Sequence, residues 1–395
     1  MALPLTPHAV DHRLLSSDPA GLYIHVPFCQ RKCPYCAFYS LDEPTDTTSF
    51  LNALKQEMSH AEEMFPGDYD SIYVGGGTPT ILPGHQIAEI IRTALKLFRI
   101  ASDAEITIEA NPGTVSREKL ETCLNAGINR LNIGVQSFQK NHLAFLGRIH
   151  SSEDAERAIL NARQTGFQKI GIDLMFGLPG QSLESWQANL EQALAYTPEH
   201  LSCYSLTIEP GTGLFRSLQD RRFQPMPDSQ VAELFEMTSE YLTENGYEHY
   251  EISNFCRGPE NRSRHNRKYW RLAPYIGLGP SSHSFVYPLR WWNHRDVAAY
   301  LDAVSSGNRP LAGQEELSRS QSMMEMIYLG LRDVDGISYS RWEQVFTLRF
   351  QNVFEHLLSD LVEKNMIESD NDRCRLTRSG MVFLDSIAQR FVEEL

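Results

Sequence analysis

Short runs rich in β-branched and aromatic residues alternate along this chain with stretches whose apolar positions recur at helical spacing. Six runs predict strands: "LYIHV" (22–26), "SIYV" (71–74), "EITIEA" (105–110), "RLNIGV" (130–135), "KIGIDLMF" (169–176) and "LSCYSLTI" (201–208). Between them, "SREKLETCLNAG" places Leu120, Cys123 and Leu124 on one helical face, with Ser116 as N-cap and Gly127 as a stop. "SSEDAERAILNARQTG" repeats that plan, with Ser151 and Asp154 spaced as a capping box and Gly166 at the end. The segments "GINRLNIG" (127–134) and "GFQKIGID" (166–173) match in register. Strands alternating with helices predict a parallel sheet with right-handed crossovers. The pattern fits an open or partial barrel, with functional residues at the C-terminal strand ends, and equally a doubly wound sheet.

Near 305–316 the composition shifts to "SSGNRPLAGQEE", which predicts a linker. The rest reads as helix, small hairpin, helix, like a winged-helix module. The expected organisation is an N-terminal arm (1–20), a large α/β unit with its extension (21–305) and a small helical unit (317–395). A winged helix raises DNA binding, but residues 314–395 carry 9 Lys/Arg against 15 Asp/Glu. That balance is poor for a phosphate partner and favours a structural or docking role.

The whole chain of 395 residues has a formal charge of −14, which disfavours nucleic acid and anionic membrane faces. No apolar run approaches the roughly 20 residues that span a bilayer. The first residues, "MALPLTPHAVDHRLLSSDPAG", lack the basic-then-apolar order of a signal peptide. Seven cysteines without that signal point to thiols in a reducing compartment, and so to a cytoplasmic protein.

Three of those cysteines, Cys29, Cys33 and Cys36, form a C-x3-C-x2-C run in "HVPFCQRKCPYCAFYS", directly after the first strand. Thiolates suit zinc or an iron–sulfur cluster. Structural zinc takes four ligands and this run supplies three, with His25 as a candidate fourth. The remaining cysteines, Cys123, Cys203, Cys256 and Cys374, stand singly and read as small buried hydrophobes.

Further polar signals fall at the strand ends. "IYVGGGTPT" supplies three glycines where backbone must approach a ligand closely, without a dinucleotide or Walker pattern. "ITIEANPGT" ends on Glu109, "NIGVQSF" on Gln136 with Arg148 following, and "GIDLMFGLPGQ" sets Asp173 in an apolar run. A lone buried Asp is expensive unless paired or bound.

With these pieces together, the sequence resembles radical S-adenosylmethionine proteins, specifically their oxygen-independent coproporphyrinogen III oxidase group, over nearly its whole length. The resemblance implies a partial (β/α)6 barrel with a small C-terminal winged-helix-like domain. It implies a 4Fe–4S cluster on Cys29, Cys33 and Cys36, whose open iron takes S-adenosylmethionine. By motif, Tyr23, Gly76, Gly77, Thr78, Glu109, Gln136, Arg148 and Asp173 would line that cofactor's region.

The oxidases carry a further cysteine two positions after the third, where this sequence has Phe38, and a longer N-terminal arm. Both departures match a sister branch, the radical S-adenosylmethionine haem chaperones. "RHNRKYW" (264–270) contains the H-N-x-x-Y-W motif of that branch, which is linked there to haem. His265, Asn266, Tyr269 and Trp270 are thus the candidate haem residues, with an imidazole for the iron and aromatic faces for the macrocycle. Arg262, Arg264, Arg267 and Lys268 offer partners for two propionates. His294, in "RWWNHR", is a lesser candidate.

The expected function is a haem chaperone delivering haem to an acceptor protein of respiration. Peripheral contact with membrane proteins and a homodimer are both compatible with it. The alternatives are a radical oxidase of coproporphyrinogen III or a related tetrapyrrole and, from another class, a cytosolic zinc-binding adaptor.

Overall fold

The computed structural model describes residues 18–42 and 46–395, so most of the expected N-terminal arm lies outside the described residues. Six parallel strands form the frame: β1 (Ala20–Val26), β2 (Asp68–Gly76), β3 (Arg99–Ala110), β4 (Arg130–Gln136), β5 (Lys169–Phe176) and β6 (His200–Ser205). Five crossover helices join them: α1 (Thr47–Met64), α2 (Gly84–Leu97), α3 (Arg117–Asn125), α4 (Ser152–Thr165) and α5 (Leu183–Ala195). The partial barrel is the architecture, and the doubly wound alternative is set aside.

The predicted caps form. Ser116 accepts from the Lys119 N–H, and Ser151 and Asp154 close a reciprocal capping box. Gly166 ends α4 at φ 110°, a left-handed conformation open to glycine at little cost. The sixth strand is shorter than its sequence pattern, ending at Ser205, with the Leu206 N–H making a last bond to the Phe176 carbonyl of β5.

Each frame strand alternates between two environments. Leu22, Ile24, Ile72, Val74, Ile106, Ile108, Leu131, Ile133, Ile170, Ile172 and Leu201 are buried in one large apolar cluster with the helices. Each such side chain contributes roughly 1.5–3 kcal/mol. The alternate positions, Tyr23, Ser71, Tyr73, Glu105, Glu109, Arg130, Asn132, Asp173 and His200, are polar and face the barrel lumen. Their mutual bonds include Tyr73 Oη to Glu109 Oε1 at 2.7 Å and Asn132 Nδ2 to Tyr73 Oη at 3.4 Å.

The sheet extends past both barrel edges. Beside β6 lies antiparallel β8 (Asn254–Cys256), and beyond it β7 (Glu248–Glu251), antiparallel to β8. Beside β1 lies β9 (Tyr275–Leu278), parallel to it, followed by antiparallel β10 (His283–Val286), β11 (Leu289–Asn293) and β12 (Leu311–Glu316). The expected linker at 305–316 is therefore corrected: its second half is the edge strand β12. Its polar composition misleads because an edge strand keeps one row of side chains in water.

From Leu317 onward a second apolar cluster gathers around Trp342, Phe346, Phe350, Phe354 and Phe391. A three-stranded sheet of Ile337–Ser338, Arg373–Leu376 and Ile367–Ser369 flanks it, giving the helix–hairpin–helix form. Among the described residues no helix is long and apolar enough to cross a membrane.

The lumen's lower end holds a buried ion pair, Arg130 Nη1 to Glu105 Oε2 at 3.4 Å. Glu105 also accepts from the backbone N–H of His265 at 3.1 Å and from the Ser263 hydroxyl at 3.4 Å. Replacing Glu105→Ala leaves a buried guanidinium without its counter-charge, and stability should fall by roughly 3–5 kcal/mol. A urea midpoint equal to that of the wild type would show that this pair does not hold the barrel's lower end.

Candidate cluster and cofactor site

Immediately after β1 the chain turns into the cysteine loop. Leu41 N–H bonds back to the Pro27 carbonyl at 2.7 Å, and Phe28–Cys29 pairs in parallel with Leu41–Asp42, closing the loop at its base. Cys29 is buried, while Cys33 and Cys36 are half-buried. Thr78 Oγ1 stands 3.6 Å from Cys29 Sγ, and Arg148 Nη1 stands 3.6 Å from Cys33 Sγ. Burial raises the Cys36 thiol, and the nearby Cys33 and Cys29 add to that shift, so the three sulfurs share one field. Phe38 points outward, 68% exposed.

Three thiols with positive and hydroxyl donors around them fit a cubane cluster, whose cysteines bind separate irons. A lone zinc ion needs its donors within about 2.3 Å of one point. Among the described residues no three His, Cys, Asp or Glu side chains are gathered that way. His25 does not complete a Cys3His set. Its Nε2 meets the Tyr39 carbonyl and its Nδ1 the Tyr23 hydroxyl, each at 3.1 Å, and burial lowers its pKa to about 4.

The glycine turn at the end of β2 docks against this loop. Gly77 N–H bonds the Val26 carbonyl at 2.8 Å and Thr78 N–H the Phe28 carbonyl at 2.7 Å. A Cβ on Gly77 would stand 2.5 Å from the Phe28 carbonyl oxygen and 3.1 Å from Cys29 Sγ. Gly76 adopts φ 109° under the His25 ring. Only glycine permits this approach.

Around the lumen from the glycines come the carboxylates. Burial pushes Glu109 up to about 7, and the Asp173 carboxylate raises it further, against the Tyr73 hydroxyl bond. Burial pushes Asp173 up to about 6, opposed by a Ser202 hydrogen bond and by Arg130 and Arg148. Gln136 sits at a register shift in β4 with φ 67°, its amide over Gly134. Arg148 Nη2 bonds the Gly134 carbonyl at 2.8 Å, and its buried Nε has no partner. Tyr23 lies beside Tyr73, ring centroids 6.3 Å apart. The eight residues chosen from the sequence therefore border one lumen, beside the cysteine loop.

Tyr73 and Asn132 were missed by motif reasoning, and His25 was considered only as a zinc ligand. The signal that would have found them is the strict alternation in "LYIHV", "SIYVG" and "RLNIG", in which every second residue is polar or glycine after an apolar neighbour. The four scattered cysteines are all buried, as expected of small hydrophobes.

The haem candidates lie elsewhere. Residues Arg264–Trp270 form a short helix, α7, capped by Ser263, at the N-terminal ends of the barrel strands and not as a surface loop. His265 is wholly buried. Its Nδ1 meets Ser71 Oγ and its Nε2 meets Tyr269 Oη, both at 3.0 Å, and burial lowers its pKa to about 3. The expectation of a free imidazole here is corrected: both ring nitrogens are used.

The expected propionate partners are also occupied. Arg262 pairs with Glu248, Arg264 with Asp103, Arg267 with Asp333 and Asp335, and Lys268 with Asp70. Asn266 sits in the first turn, its N–H on Ser263 Oγ, and the Arg332 guanidinium stands 4.8 Å over the Trp270 ring. His294 is half-buried, its N–H on the Pro310 carbonyl at 2.7 Å.

Comparison with known proteins agrees with this layout. Residues 23–193 match the family model described as the Radical SAM superfamily, and residues 317–383 match the HemN C-terminal domain. The Heme chaperone HemW of Bacillus subtilis is 35% identical over 378 residues, 94% of this chain and 99% of that protein. The Heme chaperone HemW of Escherichia coli is 35% identical over 394 residues, 96% of this chain and 100% of its own. Among solved structures, coproporphyrinogen III oxidase (HemN) from Escherichia coli, a radical SAM enzyme, superposes with a TM-score of 0.82 at 25% identity, covering 98% of this chain and 93% of that one. Radical SAM membership implies a 4Fe–4S cluster and S-adenosylmethionine. With its three-cysteine loop, its glycine turn and relatives of this identity over their full length, the chain belongs to the HemW haem chaperone family of the radical SAM superfamily.

Proposed function

We propose that this protein binds haem as cargo and passes it to an acceptor protein, using a cluster-bearing barrel as the controlling element. The observation that carries the reading is Phe38, exposed where the oxidases have a further cysteine, in a chain matched end to end by haem chaperones. Cys29, Cys33 and Cys36 would hold a 4Fe–4S cluster. When bound, that cluster supplies an iron with an open coordination position and one-electron chemistry. This chain's own residues then bind and orient S-adenosylmethionine. Gly76, Gly77 and Thr78 present backbone to its methionine end, Glu109 and Asp173 accept from cationic and hydroxyl groups, and Gln136 and Arg148 bracket the loop side, with Tyr23 beneath.

The barrel, residues 21–316, is the cofactor unit, and 317–395 is a docking unit for the acceptor, which we take to be a respiratory haem protein. Seven thiols, all free among the described residues, suit a cytoplasmic setting. The exposed Phe38 at the cluster lip suits a protein contact, with the acceptor or with a second copy.

Four measurements test this reading. Haem titration of the anaerobically reconstituted protein, followed by absorbance, should give stoichiometric uptake. Conversion of coproporphyrinogen III to protoporphyrinogen IX by the same preparation would instead make it an oxidase. Cys33→Ser should lose most of its iron and sulfide, because two thiolates do not hold a cubane stably, and full retention would overturn the ligand set. S-adenosylmethionine binding should strengthen as pH rises through about 7, since Glu109 titrates there and accepts hydrogen bonds at both oxygens only when ionised. Glu109→Gln should bind more weakly and lose that pH dependence, and a profile unchanged in the variant would remove Glu109 from the site.

A further inference from the structure

If haem is the cargo, its iron needs a ligand, and the motif histidine is committed to the barrel floor. Eleven of the 13 histidines lie among the described residues, and His8 and His12 do not. Six of these, His25, His142, His150, His200, His249 and His265, have ring nitrogens bonded within the fold. Of the others, His283 alone among the described residues stacks on an aromatic ring: its imidazole lies 5.8 Å from Trp292, at 27° between planes. His283 is exposed and neither ring nitrogen bonds a described residue.

This histidine stands where the sheet is built to carry a flat group. It opens β10 and pairs across the ladder with Trp292 on β11, which pairs in turn with Gly313 on β12. A Cβ on Gly313 would meet the Trp292 ring at 2.5 Å, so the glycine lets the indole lie against the strand. The His283 carbonyl lies against Gly277, which neighbours Tyr23 of β1 in register. His283 thus faces the lumen side of the sheet, close enough to His25 for their charges to interact. His25 in turn contacts Gly76 and Tyr39 at the cysteine loop. Over the Tyr39 ring, at 5.4 Å, stands the exposed Arg295, with no carboxylate in ion-pair range among the described residues.

Resting on the haem-carrier reading, we propose that His283 is the axial ligand through which this protein holds haem iron, on a platform made by Trp292 and Gly313 at the lip of the barrel. A neutral ring nitrogen donates its lone pair to the iron, displacing a weak ligand such as water, with no change of oxidation state. Partial desolvation against the sheet and the nearby Arg290, opposed by Glu315, lower the His283 pKa and favour the neutral ring. An imidazole bound to iron stands perpendicular to the macrocycle. Trp292, stacked on it, then turns its positive edge to the porphyrin face, a favoured aromatic arrangement. Arg295 is the free cation for a propionate. His265 would first have to give up two hydrogen bonds and leave a dry core.

The test is haem titration, by absorbance, of anaerobically reconstituted wild-type, His283→Ala and His265→Ala proteins. His283→Ala should weaken haem binding by about 10-fold or more and lose the histidine-ligated spectrum, with iron, sulfide and S-adenosylmethionine binding unchanged. Added imidazole should restore the spectrum in His283→Gly, and His283→Cys should shift it towards a thiolate-ligated form. Wild-type spectrum and affinity in His283→Ala would overturn this assignment alone. A wild-type protein that takes up no haem would overturn it together with the carrier function. His265→Ala should lower thermal stability, and if its folded fraction alone lost the histidine-ligated spectrum, the ligand would be His265.

Discussion

The structure depends on a polar lumen that must be closed. A six-stranded barrel is incomplete, and its inward positions here are tyrosines, carboxylates, an arginine and histidines in place of the usual branched apolar layers. Each buried ion costs several kcal/mol unless its partners are in place. At the lower end protein groups meet part of that demand, while Arg130 Nε and Nη2 and His200 Nδ1 are buried without a partner. Glu105 faces Arg130, the His265 N–H and the Ser263 hydroxyl, while His200 Nε2 meets Tyr250 Oη at 2.7 Å. The short helix α7 is the closing piece.

The upper end carries the remaining carboxylates. There Glu109 and Asp173 have pKa values raised by burial, and the Arg148 Nε is buried without a partner. The Cys29–Cys36 loop and the glycine turn hold each other at backbone distances that a side chain would break. Beside the cysteine loop, the two raised carboxylates and the unpartnered Arg148 Nε mark where a charged, hydroxylated ligand belongs, above a floor held by the Arg130–Glu105 pair.

The motif in "RHNRKYWR" also has a structural explanation. His265 and Tyr269 point into the lumen, where His265 stacks on Tyr73 at 5.2 Å and so touches the residue that bonds Glu109. Arg267 and Arg271 point the other way, to Asp333 and Asp335 beyond α9 (Arg319–Gly330), the first helix of the C-terminal unit. The short helix α7 thus sets a floor under the lumen and bolts the second unit to it. Its basic residues look free in the sequence because their acidic partners lie far off, 161 positions away for Arg264 and Asp103 and 198 for Lys268 and Asp70.

Local chemistry determined a good deal of this by itself. The six strand runs, the Ser116 and Ser151 caps, the stop at Gly166 and the order of polar residues at strand ends are short-range signals, set by backbone sterics and side-chain type. The C-x3-C-x2-C spacing and the glycine run belong there too, since one tight loop or turn carries each. Tertiary structure alone decided the rest. Whether His265 is an open ligand or a core residue depends on Ser71 and Glu105, more than 150 residues away. Whether "LAGQEE" is a linker or an edge strand depends on its pairing with β11, and a polar edge carries no local mark of it. Long-range pairing and desolvation act between residues that the sequence does not place side by side, and they assigned each polar group to the floor, the mouth or the rim.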